Sequence, residues 1–183
     1  MYELSGASLQ TAVREVEAHA AAAGWDRPPM LFALVPAADL VRREPALAAR
    51  LGLSIRADGG AIVPIEQELP PGQRPLEEVL AHIEWPDAVT GAAVVLERLM
   101  LPADAEAALP ADTGVAEAFV AAHPDRVEVR VAAGVLRDGR GHCVVRLRSH
   151  DSDDARLEGD EMVPGLMRLL AATLAPESEV RAS

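Results

Sequence analysis

The sequence contains no lysine, a single cysteine and few aromatic residues. Its seventeen basic residues are all arginine and are outnumbered by 29 acidic residues, which gives a formal net charge of −12 at pH 7. An excess of carboxylates opposes binding to nucleic-acid phosphates and to anionic membranes. Aromatic residues make up only 3% of the chain, which also disfavours sites that stack bases. We therefore expect neither a nucleic acid nor a membrane as partner.

The lone cysteine excludes an internal disulfide bond and a cysteine-based zinc cluster. Cys143 lies within an alternating apolar stretch, so it is expected to be a small buried side chain rather than a nucleophile. The sequence MYELSGAS at the N-terminus lacks a basic segment followed by an apolar one, and no run approaches 18 apolar residues. These features predict a cytoplasmic protein.

Several catalytic signatures are also absent. The sequence has no HExxH zinc motif, no GxSxG elbow, no lysine-containing phosphate-binding loop and no GxGxxG fingerprint. The RDGRG segment is typical of a hairpin turn, because no helix follows it. The sequence therefore predicts no catalytic residue and no cofactor.

Apolar periodicity and turn residues predict alternating helices and strands. Helices are predicted over 8–25, 37–52 (divided at Pro45), 76–85, 115–123 and 161–174; strands are predicted over 30–35, 61–69 (an edge strand or a bulge, because of Pro64), 90–101 and in a C-terminal hairpin. The pattern indicates a single α+β domain over residues 1–175, with a mostly antiparallel sheet, helices packed on it and a flexible tail over 176–183. When two helical insertions are left out, the order of elements, α-β-β-β-α-β-β-α, is similar to the secretion-chaperone-like fold, whose members commonly dimerise.

The hairpin is the most constrained part of the prediction. Apolar and polar residues alternate along both strands. Valines lie opposite valines only when the residue numbers of each pair add up to an even number. A three-residue loop that ends at Gly139, in the left-handed conformation, provides that register. Val131 is then opposite Val145 on the core side, and Arg130 is opposite Arg146 on the other side.

The segment RSHDSDDAR (148–156) follows the hairpin and concentrates acidic side chains. Asp151, Asp153 and Asp154 are candidate metal ligands, although positions 5, 6 and 12 of an EF-hand loop starting at Asp151 lack the required oxygen ligands, glycine and glutamate. Three interpretations remain open: a solvated loop, a weak cation site or a catalytic cluster.

The second candidate site is the polar face of the hairpin. Arg130, Arg146, Arg148 and His150 lie on or just after neighbouring strands and form a candidate site for an anion or a protein partner. The alternative is neutralisation within the chain, by the HDSDD loop or by Glu97 and Glu128.

Three segments carry a resemblance: LFALVPAADL, IEWPDAVTGAAVVLERLML, and HPDRVEVRVAAGVLRDGRGHCVVRLRSHDSDD with the following MVPGLMRLLAATL. Together they resemble a family of small actinobacterial proteins that is known mainly through structural genomics and has no assigned function. The resemblance covers most of residues 30–175 and implies a cytoplasmic protein from a high-GC bacterium. It supplies no catalytic residues.

Two functional hypotheses follow. The first is a non-enzymatic protein-interaction module, acting as a homodimer or with another protein. The second is an anion- or small-ligand-binding protein, or a weak divalent-cation-dependent enzyme, that uses the arginine face and the HDSDD loop. A cleft where the arginines converge with His150 would favour the second, and neutralisation by internal carboxylates would count against it.

Overall fold

A computed structural model shows an antiparallel sheet of six strands in the order β2-β1-β3-β4-β5-β6. The structure describes residues 6–53, 60–70 and 74–175. The strands are β1 (Met30–Pro36), β2 (Ile62–Gln67), β3 (Gly91–Met100), β4 (Val127–Leu136), β5 (Gly141–Leu147) and β6 (Leu157–Gly159). The helices are α1 (Gly6–Ala22), α2 (Ala37–Arg43), α3 (Pro45–Arg50), α4 (Leu76–Leu80), α5 (Ala103–Glu106), α6 (Thr113–Ala122) and α7 (Pro164–Thr173). The predicted α+β class and single domain are confirmed.

One face of the sheet is covered by α7 and α4. Alternate strand residues such as Val94, Val131 and Val145 are buried there against Leu166 and Leu170 of α7. Cys143 also lies on this face, and burial raises the pKa of its thiol. The expectation that Cys143 is a buried hydrophobic side chain is therefore confirmed.

The opposite face is covered by α1. Leu9, Val13 and Val16 repeat at helical spacing and pack against Ala132 and Val144 of the sheet. The helix lies so close to β4 that a Cβ atom added at Gly134 would be 2.6 Å from Cγ2 of Val13. Both faces of the central strands are consequently buried.

The hairpin of β4 and β5 has the predicted register. Val131 pairs with Val145 and Arg130 pairs with Arg146, and Gly139 in the connecting turn has a φ of 86°. Since a positive φ is costly for most side chains, glycine at this position fixes the turn and the register with it.

Two prolines act as predicted, whereas one helix is shorter than expected. Pro45 separates α2 from α3, and Pro64 lies in β2 at the edge of the sheet. The helix predicted over 76–85 ends at Leu80 because the His82 N–H bonds to the Val79 carbonyl, while the His82 ring contacts the carbonyl oxygen of Glu78 at 2.7 Å.

Some short elements were not predicted. Strand β6 and helix α5 carry too few residues to show a periodic pattern. The RSHDSDDAR segment contains two 3₁₀ turns, at Arg148–His150 and Asp153–Ala155. The flexible tail predicted over 176–183 lies outside the described residues.

Candidate functional site

The hairpin arginines lie under α1 rather than on an open surface. Arg130 and Arg146 share the sheet face that α1 covers, and they expose 1% and 3% of their surface. Alternation in sequence indicated a polar face here, but α1 encloses it together with its own Glu17, which is fully buried. Buried charges need partners of opposite sign, so the contacts of these three side chains define the site.

Glu17 is paired with Arg146 through two hydrogen bonds. Nε of Arg146 donates to Oε1 of Glu17 at 2.6 Å, and Nη2 donates to Oε2 at 2.9 Å. This side-on geometry satisfies both carboxylate oxygens and raises the pKa of Arg146. Arg156 approaches the same carboxylate, with Nη1 at 3.5 Å from Oε2.

The remaining donors of Arg146 hold the HDSDD loop. Nη2 donates to Oδ1 of Asp153 at 2.7 Å, and Nη1 donates to Oδ1 of Asp151 at 3.2 Å. The hydrogen bond and the charge of Arg146 hold the pKa of Asp153 below its usual range. The loop that follows the hairpin is thus tied back onto the hairpin by its own aspartates.

Arg130 is enclosed by an aromatic ring and by backbone. Its guanidinium carbon lies 4.2 Å from the centroid of the Trp25 ring, within the range of a cation–π interaction. Nη2 donates to the carbonyl of Gly24 at 2.5 Å and to Oε1 of Glu97 at 3.2 Å. Nη1 has no hydrogen-bond partner in the described part of the chain; it lies 3.9 Å from Oε1 of Glu17, which balances its charge.

Arg148 lies at the outer margin of this group. It forms a two-pronged pair with Asp26, both distances being 2.8 Å, and donates to Glu128 at 2.7 Å. The hydrogen bond from Arg148 lowers the pKa of Asp26. Asp26 has a left-handed backbone with φ 62°, and its N–H donates to Oε2 of Glu97 at 2.7 Å.

We refer to the buried Glu17, Arg130 and Arg146, together with the more exposed Glu97, Asp151 and Asp153 that pair with them, as the buried ion-pair cluster. Within the described residues, four arginines of this region pair with six carboxylates: Arg130, Arg146, Arg148 and Arg156 with Glu17, Asp26, Glu97, Glu128, Asp151 and Asp153. The region therefore carries more negative than positive charge. Its arrangement joins α1, the hairpin and the HDSDD loop and leaves no surplus positive charge for an anionic ligand.

The other predicted site residues lie apart from this cluster. His150 is exposed, with Nδ1 2.9 Å from Oγ of Ser149. Asp154 is exposed as well. In the part of the chain that the structure describes, no three His, Cys, Asp or Glu side chains are grouped so that they could hold a metal ion. The cation site at Asp151, Asp153 and Asp154 remains a prediction.

A second line of ion pairs runs along the edge of the sheet. Arg14 of α1 contacts Glu158 at 2.7 Å, and Glu158 lies 3.4 Å from Nε2 of His142. Nδ1 of the same ring is 3.0 Å from Oδ1 of Asp160. The hydrogen bond with Arg14 lowers the pKa of Glu158. These contacts fasten the short strand β6 to α1.

A different kind of surface is formed by α6, which connects β3 with β4. Seven of its ten residues are apolar, namely Val115, Ala116, Ala118, Phe119, Val120, Ala121 and Ala122, yet none of the ten is buried. Val115 exposes 55% of its surface, and Leu109 just before the helix exposes 40%. We call the exposed residues Gly114, Val115, Ala118, Ala121 and Ala122 the α6 outer face.

The structure also identifies residues that sequence reasoning missed. Glu17 had a usable signal, because it is a charged residue among the apolar positions Val13, Val16 and Ala20 of α1. Trp25 and Asp26 had none, because their roles depend on where the loop after α1 meets the hairpin. The sequence signal for α6 is that seven of its ten residues are apolar and a single one is charged.

Comparison with known proteins places the chain in a family. No curated protein and no solved structure matches it, so the likeness to the secretion-chaperone-like fold remains a prediction. Among the described residues, no helix has both the length and the apolar character needed to cross a membrane. The model of the PPA1309-like protein family matches residues 9–175. The chain therefore belongs to the family of PPA1309-like proteins.

Proposed function

We propose that this protein is a non-enzymatic protein-interaction module that docks its partner on α6. The observation that carries the proposal is that an apolar helix of ten residues has no buried residue. Exposed apolar surface is unfavourable in water and is common where proteins bind one another. The cytoplasmic location and actinobacterial origin predicted from the sequence suit such a role and belong to the same proposal.

Comparison with α1 shows what distinguishes α6. The exposed side of α1 carries polar and charged residues such as Thr11, Arg14 and Glu15, while its apolar side is buried. In α6 the inner residues Ala116 and Phe119 are only half-buried, and the exposed side carries Val115 and three alanines beside Thr113 and Glu117. A helix with exposed apolar side chains gains stability when a further surface covers them.

The buried ion-pair cluster supports the interaction module, because it weakens the alternative that the arginines bind an anion. The arginines considered for anion recognition have carboxylate partners within the chain. Two clefts, of about 740 and 450 Å³, lie elsewhere: one is lined by residues such as Met30, Arg74 and Leu76, and the other is beside the hairpin turn and α7. Neither cleft is lined by Arg130, Arg146 or Arg148.

Site-specific photo-crosslinking tests the docking surface. A benzoylphenylalanine at Val115 is expected to give discrete covalent protein adducts in cells that naturally make the protein. The matched control is the same residue at Ala18, which is exposed on α1. Adducts that occur at Val115 and not at Ala18 would support the module, whereas equal background at both positions would refute it.

The alternative of a ligand- or cation-dependent protein has its own test. The test is a series of thermal melts with EDTA, Ca²⁺, Mg²⁺, Mn²⁺, Zn²⁺ or phosphate. A ligand that binds the folded state and is present at 100 times its dissociation constant adds about 2.7 kcal/mol to the free energy of unfolding, which raises the Tm by several degrees. We expect no such rise. A rise with one cation that disappears in the Asp151→Asn/Asp153→Asn/Asp154→Asn variant would establish the HDSDD loop as a cation site instead.

A further inference from the structure

We infer that the partner of the α6 outer face is a second copy of this chain, bound through an antiparallel pair of α6 helices. The inference rests on the proposed function and specifies its partner. Three properties of the surface lead to it: the lack of charge within the α6 outer face, the position of Asp112 and Arg126 at opposite ends of the helix, and the symmetry of the face about Ala118.

The first property is the lack of charge. The chain carries a net charge of −12, so two copies repel each other over most of their surfaces. Glu117 is exposed beside the α6 outer face, and the face itself is formed by alanine, glycine and valine. Apposition of this face buries the exposed side chain of Val115, and the charge that must stay solvated at the margin of the face is that of Glu117.

The second property is the distribution of charge at the ends of α6. Asp112 caps the N-terminal end, where its Oδ1 accepts from the N–H of Val115 at 3.0 Å. Asp125 and Arg126 lie beyond the C-terminal end, where Nη1 of Arg126 donates to the carbonyl of His123 at 3.2 Å. An antiparallel pair brings the Asp112 end of each helix beside the Arg126 end of the other, and it also opposes the helix dipoles.

The third property is the symmetry that a two-fold axis requires. Ala118 is exposed and lies near the middle of α6. When it lies on the axis, it faces its own copy, Gly114 faces Ala122 of the second copy, and Val115 faces Ala121 of the second copy. Each pair contains small side chains, which let two helices approach closely. Because both copies use the same surface, the two-fold axis limits the assembly to a dimer.

The size of the helix sets the expected strength. A helix of ten residues is about 15 Å long. With Leu109 included, it covers less than the roughly 800 Å² per partner of a standard stable interface. We therefore expect a reversible dimer whose population rises with protein concentration.

Disulfide trapping of the full chain is the closing experiment. Two cysteines on the two-fold axis of close-packed helices lie within reach of a disulfide, which needs Cα atoms about 4.4–6.8 Å apart. The Ala118→Cys variant, oxidised with diamide, is expected to give a covalent dimer at least about tenfold faster than Ala18→Cys, since the dimer presents the two thiols to each other. Cys143 is buried and common to both variants.

Charge variants test the antiparallel arrangement by light scattering over about a hundredfold range of concentration. Arg126→Glu places a carboxylate beside Asp112 of the second copy, so the dimer fraction falls. Arg168→Glu makes the same change on α7 and leaves that fraction unaltered. Circular dichroism of each variant shows that the fold is retained.

The outcomes separate the partner from the surface. Equal trapping of Ala118→Cys and Ala18→Cys, or a monomeric mass at every concentration, overturns the second copy. Photo-adducts at Val115 that contain a different protein overturn it too, while they leave the docking surface intact. Adducts at neither Val115 nor Ala18 would remove both proposals.

Discussion

The carboxylate of Glu17 accepts two hydrogen bonds from the guanidinium of Arg146, at 2.6 and 2.9 Å, although both side chains are almost fully buried. One residue comes from the first helix and the other from the last long strand. Placing two charges out of water is costly, and the pair is tolerated because its geometry satisfies both oxygens of the carboxylate. Removal of either partner leaves an uncompensated charge.

Glu17→Gln is therefore expected to lower the free energy of unfolding by about 3–5 kcal/mol. The amide keeps the size of the side chain but leaves the charge of Arg146 without its best partner. Urea denaturation measures the change, with Glu15→Gln on the exposed side of α1 as control at less than about 0.5 kcal/mol. Similar costs for the two variants would contradict a structural role for the buried pair.

A double replacement separates the contribution of the two charges to stability from the contribution of the volume that the two side chains fill. Glu17→Leu combined with Arg146→Met removes both charges and retains apolar bulk. Since apolar residues often replace a buried ion pair without loss, the double variant should be more stable than Glu17→Leu alone. A double variant that is less stable than Glu17→Leu would show that Arg146 stabilises the fold mainly through Asp151 and Asp153.

Stability is expected to fall in acid. The pKa values of Asp26, Asp153 and Glu158 are lowered by their arginine partners. A carboxyl group whose pKa is lower in the folded state contributes stability that is present above its unfolded pKa and lost as the pH falls through the folded value. The free energy of unfolding should thus change little between pH 7 and 5 and decline below about pH 4.

Urea titrations at a series of pH values measure this decline, with Asp153→Asn as the comparison. The amide cannot be protonated in this range, so the difference between wild type and variant should shrink as the pH falls. A constant difference from pH 7 to pH 3 would show that the ion pair between Arg146 and Asp153 has no influence on acid stability.

Trp25 is expected to contribute through its ring and its N–H separately. Its Nε1 donates to Oδ2 of Asp151 at 2.8 Å, and its ring lies over Arg130. Trp25→Phe loses the hydrogen bond, at about 0.5–1.5 kcal/mol. Trp25→Leu also loses the cation–π interaction, a further 0.5–2 kcal/mol or so. Thermal denaturation of the two variants would reveal equal stability if the ring over Arg130 contributed nothing.

Replacement by alanine is expected to have opposite effects on the free energy of unfolding at two glycines. Gly139 has a φ of 86°, so Gly139→Ala should destabilise by about 1–2 kcal/mol even though the space around it is open. Gly165 lies in the first turn of α7 with open space around it and an ordinary φ. Gly165→Ala should stabilise by about 0.4–1 kcal/mol. Chemical denaturation that gave the same sign for both would contradict the role of backbone conformation.

Sequence reasoning succeeded where one local rule determined the outcome. Parity fixed the register of Val131 with Val145, and the missing N–H of Pro64 indicated an edge strand. It failed where the outcome depended on distant parts of the chain. Arg130 and Arg146 alternate as if they faced water, and only the docking of α1 shows that they are buried with Glu17.

The candidate site was predicted in part. Glu97, Glu128 and the HDSDD loop were named as sources of neutralising charge, and each of them contacts an arginine. Asp26 could not be foreseen, because its contact with Arg148 spans 122 positions. The sequence predicts α6 as a short helix but does not predict that its outer face is exposed. Periodicity indicates which residues are apolar and does not indicate what covers them.

The pairing of Glu17 with Arg146 also bears on how the chain folds during synthesis. The two residues are 129 positions apart, so at about 5–20 residues per second the ribosome needs roughly 6–26 s to deliver Arg146 after Glu17. For most of that interval α1 has neither of its charge partners, Arg130 and Arg146, nor the β4–β5 surface on which Leu9 and Val13 pack. The apolar side of α1 is thus without its native covering until the hairpin has been made, so the helix reaches its final packing only after most of the chain has been synthesised.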